Sequence, residues 1–355
     1  SRAPAGPSTE AGGRSAIAVL PFVNLGGPET PLPEVRARLL DKLAERHVPV
    51  LGQDELDAFM RRNRMRYTGG LSGEMGRALA QETGAGAALV TSIDLYVIRG
   101  VPKAAMTSRL VSAGEAPQIL WMDSAAFAGD QAPGFLRIGE LPTIDPVIDR
   151  VAERIADSLA AHLSGAADRQ VPFERLKRRF RPVKFFRSAV TAWGASHRPR
   201  VAVLPFSNGT PTGHAGEITT LQLVRFLADS GDVELLEPGV VRQTLLKSRF
   251  IQQEGPSIPQ SDLLHTLLDA DIVIFGEVDE YQDATSSLGE PVVGFTVRAI
   301  DTARRQVIWS SVSYGRGGDG VFFFGLGKVA TAQALASEMA RGLVGTILKP
   351  SGGSS

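Results

Sequence analysis

The sequence predicts an α/β protein: two tandem α/β sandwich domains, each a mixed sheet packed with helices. Three observations carry this. First, Ile17-Ala18-Val19-Leu20-Pro21-Phe22 returns as Val201-Ala202-Val203-Leu204-Pro205-Phe206, and each copy opens a stretch of roughly 150 residues in matching order, an ordinary domain length. Second, apolar spacing alternates between helix and strand periods within each copy. Third, the last three strands of each copy are joined by short turns, the tightest being Asp301-Thr302-Ala303-Arg304-Arg305. Short turns imply an antiparallel meander, whereas the first two strands are separated by a helix and should lie parallel.

The elements follow in order. After Phe22 and Phe206 comes a polar, Gly/Pro-rich loop, then an amphipathic helix. Val35, Leu39, Leu40 and Leu43 form its apolar face in the first copy; Ile218, Leu221, Leu223, Val224 and Leu227 form a broader stripe in the second. A short strand follows, Val48–Leu51 and Val233–Leu236, then a basic helix, Leu56–Arg66 and Val240–Arg249. A further helix leads to a long strand, Leu89–Tyr96 and Ile274–Tyr281, which ends in both copies as apolar-Asp-x-Tyr. The next strand carries Arg109 or Arg298. The last begins Gln118-Ile119-Leu120-Trp121 or Gln306-Val307-Ile308-Trp309. A long helix closes each copy, Pro146–Leu163 and Val329–Leu348.

This divides the chain into a flexible N-terminal tether (1–15), a first domain (16–165), a basic, aromatic-rich linker (166–199), a second domain (200–349) and a disordered tail (350–355). The tether is rich in Gly, Pro, Ser and Ala and cannot build a core. With 38 basic and 38 acidic residues, net charge names no partner. No run of about 18 apolar residues is present, so no membrane-spanning helix is expected. The absence of cysteine removes disulfides, thiol catalysis and thiolate ligands.

Residues 166–199 have no counterpart in the repeats. Arg175, Lys177, Arg178, Arg179, Arg181, Lys184 and Arg187 alternate there with aromatics that include Phe185 and Phe186. Three readings stay open: a structured linker with its rings packed inward, a segment lying on an anionic membrane surface, or a contact for a protein, glycan or other polyanion. No nucleic-acid recognition motif accompanies the charge. Phe322-Phe323-Phe324 occurs only in the second copy, and three consecutive rings cannot all face one core, so either the loop folds over the end of the sheet or part of the run is exposed as a contact patch. These residues are the candidate partner contacts.

Motifs for chemistry fail on context. Gly315-Arg316-Gly317-Gly318-Asp319-Gly320 has the GxGxxG form but follows the last strand of a meander, not a first strand leading into its helix. Gly325-Leu326-Gly327-Lys328 lacks the spacing and hydroxyl of a phosphate loop. The five histidines have no metal-ligand spacing, and neither HExxH nor GxSxG occurs. Asp94 and Asp279 recur at one strand position, which favours a structural role, such as hydrogen bonding near Arg109 or Arg298, over a catalytic one. No cofactor, metal or catalytic residue is expected.

The second copy resembles the CsgG-like group of bacterial envelope lipoproteins, related in fold to the N-terminal domain of TolB. The resemblance lies in Val201–Phe206, the basic helix, Ala270-Asp271-Ile272-Val273-Ile274-Phe275-Gly276-Glu277-Val278, the strand ending Asp301-Thr302, and Gln306-Val307-Ile308-Trp309. The first copy fits more loosely: Gly86-Ala87-Ala88-Leu89-Val90 lacks the aspartate. The resemblance implies a periplasmic protein, anchored to the outer membrane through a lipidated cysteine absent from this sequence, that works through protein contacts rather than catalysis. Other envelope proteins, copies of itself and the membrane are the partners it implies. The curli pore of that family builds its barrel from long inserted hairpins. The strand connections here, such as Gln282 to Pro291, are short and polar, so no transmembrane barrel is expected.

The leading expectation is a non-catalytic scaffold or accessory subunit of an envelope export or assembly machine. The alternative is a glycan- or small-ligand-binding module using the cleft between the repeats, with Arg316, Asp319 and the basic linker as polar contacts. An enzyme is the third reading, and no motif supports it.

Overall fold

The computed structural model describes residues 15–130, 141–166, 180–188, 198–248, 258–284, 289–319 and 328–348. The first repeat contains β1 (Ile17–Val19), β2 (Val23–Asn24), α1 (Leu32–Glu45), α2 (Gln53–Arg62), α3 (Gly73–Thr83), β3 (Ala87–Val97), β4 (Lys103–Ser112), β5 (Ile119–Ala128) and α4 (Ile144–Leu163). The rest of the chain contains β6 (Lys184–Arg187), β7 (Arg200–Val203), β8 (Ser207–Asn208), α5 (Ala215–Ser230), β9 (Glu234–Leu235), α6 (Pro238–Lys247), α7 (Ile258–Leu268), β10 (Ile272–Gln282), β11 (Val292–Asp301), β12 (Gln306–Arg316) and α8 (Ala332–Ile347).

Two mixed sheets result. The first runs β1-β3-β4-β5, with β2 also paired to β3; the second runs β6-β12-β11-β10-β7-β9, with β8 paired to β10. In each, the opening strand lies parallel to the long strand and the last three strands form the expected antiparallel meander. The short second strand of the first repeat is reduced to a single parallel bridge, Ile17 to Val50. The basic helices sit slightly earlier than the periodicity predicts, α2 ending at Arg62 and α6 at Lys247.

The repeat extends to irregularities. Asp94 and Asp279 are each the extra residue of a β-bulge, where Ile93 and Leu95 oppose Met106 and Ala105, and Val278 and Glu280 oppose Phe295 and Gly294. A second pair of bulges falls at Leu120 and Ile308. A bulge lets a side chain leave the strict alternation of its strand.

The segment between the repeats supplies β6, which periodicity does not reveal. It pairs antiparallel with β12, Phe185 opposite Ser311 and Phe186 opposite Ser310. Two glycines make room for its approach: a Cβ on Gly315 would strike the ring of Phe180, and one on Gly342 of α8 would strike its carbonyl. Phe185 stacks on Trp309 with centroids 5.1 Å apart, and the Arg187 guanidinium lies 5.4 Å from the same ring. Arg187 also donates to the Thr346 carbonyl in the last turn of α8, a favoured place for a cation.

Helices cover the sheets unequally. In the first repeat α1 and α4 pack on one face through Leu39, Leu43, Val151 and Ile155. Leu56, Phe59 and Leu79 of α2 and α3 cover part of the other. In the second repeat α5 and α8 cover one face, and α6 with Leu264 and Leu268 of α7 covers part of the other. The α5–α8 layer does double service. Its core also takes in Leu25 and Met122 of the first repeat, and α5 and α8 lie against β5. A helix buried on both sides must be apolar nearly all round, which is why the stripe of α5 is broad and includes buried Thr219, Thr220, Gln222 and Arg225.

Candidate functional site

Two places stand out: the seam where the second repeat's helices meet the first repeat's sheet, and the matching sheet face of the second repeat, which no helix among the described residues covers as α5 and α8 cover the first.

The seam is built on polar residues of β3, β4 and β5. Asp94 is buried. It accepts from Ser92 Oγ at 2.6 Å, from the Thr107 hydroxyl, and from Gln333 Nε2 of α8 at 3.3 Å. Gln222 Nε2 of α5 donates to Thr107 Oγ1 at 3.1 Å and accepts from Ser124 Oγ at 3.0 Å. Arg225 reaches the sheet edge to pair with Asp123 at 2.5 Å. At one end Arg109 donates to Glu237 Oε1 at 2.9 and 3.0 Å and to the Gly69 carbonyl at 2.7 Å. Glu237 is the N-cap of α6, its other oxygen accepting from Gly239 N and Val240 N. At the other end Lys103 pairs with Asp283 at 2.7 Å, whose second oxygen accepts from Ala332 N at the start of α8. Each buried charge thus has a partner, as burial demands.

Asp94 does not pair with Arg109, contrary to the sequence expectation. Arg109 is engaged by Glu237, and the bulge aims Asp94 at α8 instead. Burial pushes the Asp94 carboxyl up to about 6, opposed by its hydrogen bonds to Ser92, Thr107 and Gln333, with Glu217 adding a smaller upward push. Tyr281, buried beside it, is pushed well above the ordinary phenol value by burial and by the charges of Asp94 and Asp283. Hydrogen-bonded acids here hold two units together. No group of three or more His, Asp or Glu among the described residues could hold a metal.

The seam also encloses a cavity of about 400 Å³, lined by Val23, Leu25, Val90, Val203, Phe206 and Leu221 with Tyr67, Arg109 and Arg242 at its polar side. Arg316 and Asp319, expected to serve such a cleft, are not there. They bond to each other in an exposed turn after β12, Arg316 N donating to Asp319 Oδ2 at 2.7 Å. The described part of the linker, at β6, is likewise on the second sheet and not at the cavity.

The second place is the outer face of β10, β11, β12 and β6. Positions matching the buried Ser92, Asp94 and Arg109 are Glu277, Asp279 and Arg298, all exposed. Beside them Val312, Tyr314 and Phe186 are exposed at 46, 40 and 55%. Asp279 is raised by partial burial and by Glu277 next to it. No helix among the described residues lies across this face in the way α5 and α8 lie across the first sheet.

Of the predicted contact residues, Arg181, Lys184, Phe185 and Phe186 are exposed and Arg187 is half-buried. Phe186 and Lys184 share the open face, being paired with Ser310 and Val312, whereas Phe185 turns to Trp309. Arg175, Lys177, Arg178, Arg179, Phe322, Phe323 and Phe324 lie outside the described residues. Sequence reasoning missed Glu237, Gln222 and Gln333. Amides inside apolar helix stripes were the available signal. No helix among the described residues is long and apolar enough to cross a membrane.

No family model and no curated protein matches the chain. Among solved structures it is similar to the PelC dodecamer from Paraburkholderia phytofirmans, at 19% identity over 47% of this chain and 96% of that one, with a TM-score of 0.34. Lipoprotein GNA1162 from Neisseria meningitidis aligns at 19% identity over 39% of this chain and 93% of that one, TM-score 0.30. The LpoB C-terminal domain from Escherichia coli aligns at 15% identity over 34% of this chain and 85% of that one, TM-score 0.26. Each alignment spans less than half of this chain.

Proposed function

We propose that the protein is a non-catalytic scaffold or accessory subunit of a bacterial envelope export or assembly machine, acting through protein–protein contacts. The observation that carries this is the open sheet face of the second repeat. The same face of the first repeat is occupied within the molecule: it holds a two-helix layer, with an amide on Asp94 and a helix-capping carboxylate on Arg109. The open face keeps the aspartate at its bulge and the arginine on the neighbouring strand, as Asp279 and Arg298, and adds exposed apolar side chains. Its occupant should bring helices that set an amide or cation against Asp279 and a carboxylate against Arg298.

The chain's own first repeat does not offer that chemistry. Aligned on their N-terminal threonines, α4 carries Asp145 where α8 carries Gln333, and Asp145 is ion-paired to Arg38 at 2.6 Å. The N-cap of α2 is Gly52 where that of α6 is Glu237. Repeating the internal contact between copies would set Asp145 against Asp279 and leave Arg298 without its carboxylate. A different envelope protein is therefore the partner in this reading. The periplasmic and outer-membrane setting, and membership of the CsgG-like and TolB-like group, rest on the resemblance of the sequence motifs.

The experiment is gentle extraction of the full-length protein from its own envelope, followed by light scattering and particle imaging. A stable complex containing a second protein supports the reading. Turnover of an envelope substrate by the purified chain without partners would overturn it.

A further inference from the structure

A second, smaller cavity of about 210 Å³ adjoins the seam cavity, and Tyr67 and Arg242 line both. The Arg242 guanidinium lies 3.8 Å from the centroid of the Tyr67 ring, a cation–π stack whose two members line both spaces. The smaller cavity is lined by Arg64, Arg66 and Arg242, and no carboxylate is among its described lining residues. None of these three arginines has an ion-pair partner among the described residues. Ser72, the N-cap of α3, and Gly239, in the first turn of α6, also line it; the α6 end is itself capped by the Glu237 carboxylate, which accepts from Gly239 N and Val240 N. Backbones meet tightly behind it: a Cβ on Gly70 would strike Gly239.

The larger cavity is different in kind. Val23, Leu25, Val90, Val203, Phe206 and Leu221 give it an apolar wall, and Glu217 lies at the end where α5 begins. Arg109 and Arg242 line it as well, and Glu217 is paired with His214 at 3.5 Å. A space of this size, apolar with a few converging polar groups, is what small-molecule sites have in common.

We propose that the seam binds a single-chain amphipathic anion: an apolar chain in the larger cavity, and one carboxylate or phosphate in the smaller one among Arg64, Arg66 and Arg242. The apolar wall selects an amphiphile over a glycan. The site is distinct from the open sheet face and does not depend on the scaffold reading. Because both repeats contribute to its walls, a bound ligand would also tighten their contact.

Titration calorimetry of the full chain with decanoate, decyl phosphate and decyl maltoside tests this. The expected result is saturable binding of at least one of the two anions at one site, with decyl maltoside at least tenfold weaker. Decanoate against decyl phosphate distinguishes the two head groups. Arg64→Gln with Arg66→Gln, both exposed and free of structural contacts in the core, should weaken the anion tenfold or more and leave decyl maltoside unchanged. Leu221→Trp should fill the larger cavity and abolish anion binding, with the circular dichroism melt confirming a folded chain. No saturable heat with either anion, or anion binding that equals that of decyl maltoside and ignores Arg64→Gln with Arg66→Gln, overturns the proposal.

Discussion

Glu237 does two jobs with one carboxylate. One oxygen caps α6 and the other receives Arg109 from the first repeat, so a single side chain couples helix initiation to the docking of two units. Both partners are almost wholly buried. Removing one charge of a buried pair leaves the other uncompensated, which costs about 3–5 kcal/mol. Glu237→Gln should therefore lower unfolding free energy by about that amount, measured by urea titration, whereas Glu277→Gln on the open face should change it by less than about 0.5 kcal/mol. Asp94 makes a second test at this scale. Its carboxyl is raised from 3.8 to about 6 by burial. The native state thus holds its proton more tightly than the unfolded chain, and stability is lost as pH rises through that window. The loss is on the order of 3 kcal/mol between pH 4 and pH 7. Asp94→Asn should gain on the parent as pH rises from 4.5 to 7.5. A difference between the two proteins that stays flat with pH would show that Asp94 does not titrate there.

At the scale of elements, the segment that carries β6 depends on absences in its neighbours. Gly315 and Gly342 carry no side chain where Phe180 passes, and Trp309 is covered by Phe185 and Arg187 as a result. Gly342→Ala should displace this strand at a cost of about 1–3 kcal/mol, the usual range for overpacking. Trp309 fluorescence, read in a chain with Trp121 and Trp193 changed to Phe, should shift to the red. An unshifted spectrum would mean that β6 does not depend on that close approach. The contrast between β6 and the meanders explains what the sequence made legible. The meanders could be read because the connections between their strands are short and the same strand order recurs in both copies. β6 could not, since Lys184-Phe185-Phe186-Arg187 has apolar residues side by side and lies in a basic segment whose charges dominate the pattern. The seam was hidden for a related reason. Ser92, Thr107, Arg109 and Ser124 occupy alternate strand positions that ordinarily face water, and only the second repeat's helices bury them.

For the whole molecule, the two repeats are alike in fold and unlike in exposure. Nearly the same sheet is offered twice, once covered by α5 and α8 and once without such a layer among the described residues. The helix layers differ in the complementary sense. That of the second repeat carries amides and Arg225 toward its neighbour, whereas that of the first carries ion pairs such as Arg38 with Asp145 and Asp149, and Arg46 with Asp157. The outer helices of the first repeat thus carry solvated ion pairs, while the second sheet carries exposed apolar side chains among the described residues. The candidate contacts on the open face, Lys184 and Phe186, join Asp279, Arg298, Val312 and Tyr314 on a single surface, which sequence order alone would not group.

The most direct measurement compares the full-length protein with its Phe186→Ser, Arg298→Glu variant, both extracted gently from the native envelope and sized by light scattering. These side chains are exposed, so the variant should keep the melting temperature of the parent. The account expects the parent to travel in a complex with a second protein and the variant to be released from it. A parent found as a bare 37.8 kDa chain, or a complex that the variant leaves intact, would contradict the claim that the open sheet face is where this protein meets its partner.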